Sequence, residues 1–138
     1  MCMTIVVTVS KDFGLLFHQR RQSQDRLQRA NLKALIGSCP LYMNAYSYSL
    51  YQDFFKESSV VAEDFLDLCP KDGWALIEDQ SIQKYISKID QVIVYQWNRS
   101  YPSDTWLDIS LDSFQLVEQV DFVGSSHERI TRLTYQRR

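Results

Sequence analysis

One stretch constrains this chain more than any other: Gln91 to Leu111, QVIVYQWNRSYPSDTWLDISL, two strand-like runs joined by a proline-bearing loop. Val92 to Trp97 is β-branched and aromatic, without Gly or Pro. From Thr105 to Leu111 the chain alternates, with Thr105, Leu107, Ile109 and Leu111 on one side and Trp106, Asp108 and Ser110 on the other. A period of two is what a pleated strand with one buried face requires. Between the runs, Ser100-Tyr101-Pro102-Ser103-Asp104 has turn chemistry, because proline fixes φ and lacks an N–H. The stretch anchors a sheet but names no reaction.

Around it the chain reads as a strand, then helices, then more strands. Thr4 to Val9 is a β-branched run that starts the sheet. Gln19 to Ile36 lacks Pro and Gly, and Leu27, Ala30, Ala34 and Leu35 form an apolar stripe at helical spacing before a stop at Gly37 and Pro40. Further helices are predicted from Ser49, from about Ser59 to Leu68, and from Gln80 to Ile89, the last with Ile82, Tyr85, Ile86 and Ile89 on one face. Trp74 to Ile77, Phe114 to Phe122 and His127 to Tyr135 read as strands. Helices segregated from strands predict an α+β fold. It has an antiparallel sheet of about five to six strands, mostly from the C-terminal half, and three to four helices, mostly from the N-terminal half, on one face. A chain of 138 residues predicts one domain, 1–138.

Three cysteines (Cys2, Cys39, Cys69) at wide spacing make no disulfide framework and imply free thiols in a reducing, cytoplasmic compartment. No run approaches the ~18 apolar residues that would span a bilayer. GxSxG, GxxxxGK[ST] and GxGxxG are absent, and four glycines leave little from which to build a phosphate-cradling loop. No cofactor and no metal site is expected. Asp104, Asp108 and Asp112 would be spread ~13 Å apart along a strand, too far for one ion.

Charge is distributed unevenly. Between Arg99 and Arg129 there is no Lys or Arg, whereas Asp104, Asp108, Asp112, Glu118 and Asp121 are acidic. Strand parity places Asp104, Trp106, Asp108 and Asp112 on one face. An aromatic anchor among carboxylates suits a basic protein partner, since the ring supplies area and the charges set register; the bland alternative is a solvated face. The expected function is therefore a small cytosolic interaction domain of the inhibitor, immunity or antitoxin kind. The alternative is an RNA-directed protein. His127, Arg129 and Tyr135 share a face by parity and are tools of a metal-free, toxin-like ribonuclease. Arg20, Arg21, Arg26, Arg29 and Lys33 form a basic helix face able to track phosphates. Against that, His127 ends a loop and basic side chains commonly guard a sheet edge. No membrane partner is expected, and self-association is left open.

Overall fold

The computed structural model describes residues 3–17, 20–21 and 23–138. Its elements are β1 (Met3–Val9), β2 (Gly14–Phe17), β3 (Arg20–Arg21), α1 (Arg26–Ile36), β4 (Leu41–Met43), α2 (Ala45–Phe55), β5 (Ser59–Val61), α3 (Phe65–Leu68), β6 (Trp74–Leu76), a 3₁₀ segment (Gln83–Lys88), β7 (Ile89–Gln96), β8 (Thr105–Trp106), a second 3₁₀ turn (Leu111–Ser113), β9 (Phe114–Phe122) and β10 (Ile130–Arg137).

The main sheet has seven strands in the order β5-β4-β6-β1-β7-β10-β9. β1 runs parallel to both neighbours, Ile5 pairing with Ala75 of β6 and Val92 of β7. β4 is parallel to β5 and β6. Only β10 and β9 are antiparallel, β10 to β7 and β9 to β10. The expected antiparallel sheet is thus corrected to a mixed one with a parallel centre.

The sheet is also covered on both faces, not one. Ile5, Val7 and Val9 pack with Phe65 and Leu66 of α3, Ile82, Tyr85 and Leu15. Val6 packs on the other side with Leu32 and Ile36 of α1 and Tyr51 and Phe55 of α2. A strand buried on both faces reads as a near-continuous apolar run rather than an alternating one, and TIVVTV is such a run of β-branched residues, interrupted by the buried Thr8. Burying a side chain of this size contributes roughly 1.5–3 kcal/mol.

α1 begins at Arg26, where Asp25 caps it, and the buried face is Gln28, Leu32 and Ile36, so the helix is rotated from the expected stripe. Arg20 and Arg21 lie in β3, paired with Phe17 and Leu16, so the basic helix face does not form as expected. The helix expected from Ser59 is a three-residue strand followed by a four-residue helix, and that expected over Gln80 to Ile89 is the 3₁₀ segment. β8 ends at Trp106. The parity that aligned Asp104, Trp106, Asp108 and Asp112 is therefore lost. No helix among the described residues is long and apolar enough to cross a membrane.

Candidate functional site at the carboxyl edge of the sheet

Adjacent parallel strands here send their connections to opposite faces. Past β2 and β3, β1 leads to α1 on the face of Leu32 and Tyr51, whereas β6 leads to Ile82 and Tyr85 on the other. In open α/β sheets the carboxyl ends beside such a divergence are where ligands bind. The residues emerging there are polar yet buried: Asn44 past β4 is 2% exposed, Glu78 past β6 1%, and Ser10 past β1 0%.

Each has a local cause. Ser10 Oγ donates to Asp12 at 2.5 Å and accepts from the Gly14 N–H at 3.2 Å, which closes the turn into β2. That bond is the main influence holding the Asp12 carboxyl below its ordinary value. Asn44 caps α2 by accepting from the Ser47 N–H at 3.0 Å, and its amide donates to Asp79 at 2.8 Å. The Ala45 N–H, at the start of the same helix, donates to Glu63 at 3.2 Å. A cavity of about 360 Å³ beside these strand ends is lined by Glu63, Asp64 and Asp67 with a single cation, Lys84. Under α1, Gln28 accepts from the Tyr51 hydroxyl at 3.0 Å. Its buried Nε2 has no acceptor among the described residues.

Along the same edge, past β7, lies a second cluster. Asp25 accepts from the Leu27 and Gln28 N–H groups of its own helix at 2.9 and 3.3 Å. It also accepts from the Ser125 and Ser126 N–H groups, at 2.9 and 2.8 Å, and from His127 Nδ1 at 2.8 Å. One carboxylate thus caps a helix and clamps the loop between β9 and β10. Burial acts to raise its pKa, but the Ser126 and Ser125 N–H groups and His127 outweigh it, and the carboxyl lies far below its ordinary value. The imidazole stacks on Trp97 at 4.6 Å and 20°. Its Nε2 lies 2.8 Å from Ser23 Oγ and 3.5 Å from the Tyr101 hydroxyl.

The residues singled out from sequence are dispersed. Asp108 is turned inward, accepting from Ser81 Oγ at 2.5 Å and the Ile82 N–H at 3.2 Å. Asp104 accepts from Thr105, Glu118 pairs with Arg132 at 3.3 Å, and Asp121 accepts from Thr131 at 2.6 Å. Asp112 is exposed, and Trp106 is 49% exposed. Arg29 is paired with Asp53 at 2.9 Å, Lys33 donates to Gly37 and Ser58, and Arg26 is exposed; the Arg20 and Arg21 side chains lie outside the described ones. Tyr135 pairs with Val92 near the amino end of β7, whereas His127 stacks on Trp97 past its carboxyl end, and Arg129 is exposed. The three do not converge. Asp25, Asn44, Gln28 and Glu78 were not singled out as site residues. Asp25 and Asn44 carry the one available signal, a cap residue before a helical run.

No family model matches the chain, and no curated protein matches its sequence. Among solved structures it is similar to a dihydrofolate reductase from Enterococcus faecalis complexed with NADP(H) and RAB-propyl. The TM-score is 0.72 at 12% identity, covering 99% of this chain and 96% of that one. The likeness is one of fold. It overturns the expected inhibitor, immunity or antitoxin domain with a basic protein partner, and gives no support to the RNA-directed alternative.

Proposed function

We propose that the protein binds a small molecule between the carboxyl ends of β1 and β6. The observation that carries this reading is the burial of Asn44, Glu78 and Ser10 at three neighbouring strand ends where the connections diverge. The similar structure holds NADP(H), so the fit of that dinucleotide bears on the ligand class. A pyrophosphate needs free N–H donors, close backbone approach and positive potential. Here the Ala45 N–H already donates to Glu63. No glycine follows β4 or β6, where Asn44-Ala45 and Glu78-Asp79 stand instead. The adjoining cavity carries three carboxylates against one lysine. These residues do not fit an anionic dinucleotide. They favour a neutral or cationic heterocycle rich in hydrogen-bond donors.

Thermal-shift titration with NADPH, and with sets of anionic, neutral and cationic heteroaromatic fragments, tests this. Neutral or cationic fragments are expected to raise the melting temperature, with the rise lost in Glu78→Gln, and NADPH to leave it unchanged. Stabilisation by NADPH approaching roughly 2.7 kcal/mol at hundredfold excess over Kd would overturn the ligand class. Absence of any rise would overturn the site. We also place the chain in the cytoplasm, supported by its odd, widely spaced cysteines; recovery from another cell fraction would refute that.

A further inference from the structure

We propose that Ser23, His127 and Asp25 form an acyl-transfer set that hydrolyses a small carboxylic ester, a chemistry separate from ligand binding between β1 and β6. Nucleophile, base and orienting carboxylate stand in the order such chemistry needs. Ser23 Oγ is 2.8 Å from His127 Nε2, and His127 Nδ1 is 2.8 Å from Asp25 Oδ2. A triad of this kind is recognised by geometry and roles, not by chain order or fold.

The arrangement is preorganised. Asp25 is held by four backbone N–H groups and accepts a hydrogen bond from Nδ1–H, the tautomer that leaves the Nε2 lone pair facing Ser23. Stacking on Trp97 fixes the ring plane. Accessibility rises in the same order, for the Asp25 and His127 side chains are 0% and 2% exposed and Ser23 is half-buried. Trp97, which stacks on His127, also lines a neighbouring cavity of about 340 Å³ together with Asn98, Arg99, Glu128 and Arg129. The Tyr101 hydroxyl, 3.5 Å from Nε2, is the side-chain donor we assign to the developing oxyanion.

In the first step the Ser23 Oγ–H proton passes to His127 Nε2 as Oγ bonds to the ester carbonyl carbon and the π pair moves onto oxygen. When that pair returns, the bond to the alcohol oxygen breaks and the alcohol leaves with the Nε2 proton. Water then attacks the acyl-serine, gives a proton to Nε2, and Ser23 departs with it as the carboxylic acid forms. Nothing is oxidised or reduced. Ser23, His127 and Tyr101 touch reacting atoms, whereas Asp25 is a positioning residue.

The test is covalent labelling of the full chain with a fluorophosphonate, mapped by peptide mass, beside hydrolysis of p-nitrophenyl acetate. The expected result is a single adduct on Ser23, with turnover lost in Ser23→Ala, a variant whose circular dichroism matches the parent. Tyr101→Phe should keep the adduct site while slowing acylation by about 10²-fold. A folded parent that takes no adduct, an adduct on another residue, or undiminished turnover in Ser23→Ala would overturn the proposal.

Discussion

Asp25 concentrates the demands made on single residues in this protein. Seven hydrogen-bonding groups, from α1 and from residues 125–127, converge on its carboxylate. Its pKa in the folded chain lies below the ordinary 3.8. A carboxyl with a depressed folded pKa contributes stability that is present above the unfolded value and lost as pH falls through the folded one. Acid unfolding monitored by fluorescence should therefore steepen below pH 3.8, and Asp25→Asn should flatten that part of the curve. Gly124 makes the clamp possible. A Cβ there would stand 2.3 Å from Asp25 Oδ2 and 2.8 Å from Ile130 Cδ1. Gly124→Ala should cost about 1–3 kcal/mol, read as a lower urea midpoint at unchanged m-value. Cys69 illustrates the opposite environment, since burial pushes its thiol up to about 11 and leaves it inert.

At the scale of elements, caps and tethers set where each segment begins. α2 starts at Ala45 because Asn44 accepts the Ser47 N–H, and the same side chain ties the helix to Asp79. Asn44→Ala should lower stability by about 0.5–2 kcal/mol, measured by thermal melting. The segment after β8 is pinned in a similar way. Asp108 holds Ser81 and the Ile82 N–H, and its carbonyl accepts from Gln83. Asp108→Lys should therefore destabilise the fold itself, by about 1–3 kcal/mol for unsatisfied donors, with the loss visible in the urea midpoint. As a solvated surface charge it would leave stability unchanged. The alternation from Thr105 to Leu111 was legible, but among the described residues β8 pairs with β2 alone, and the chain leaves the strand once Asp108 turns toward Ser81.

Over the whole molecule, β1 and β7 lie inside the sheet and β5 and β9 at its edges. Backbone amides of β1 and β7 should be the last to exchange with deuterium and those of β9 among the first; protection in β9 matching that in β1 would contradict this ordering. Much of the sheet was readable one segment at a time. Met3–Val9, Ile89–Gln96 and Phe114–Phe122 announce themselves by β-branched or alternating residues, and the end of α1 by Gly37, whose φ is 70°. Such signals are local, because period, capping and φ preference act over a few residues. The three-residue strands β4 and β5 are too short to show a period, whereas β6 was legible as the run from Trp74 to Ile77. Missing β4 and β5 turned an interleaved parallel sheet into helices followed by an antiparallel one. Nothing local encodes that β6 inserts between β4 and β1, that connections diverge beside Ser10 and Glu78, or that Asp25 meets His127 across 102 positions. The sequence alone determined the long strands β1, β7, β9 and β10 and the stop of α1 at Gly37. Tertiary structure alone decided strand order and the carboxyl-edge clusters, because long-range pairing is selected by burial of both sheet faces at once.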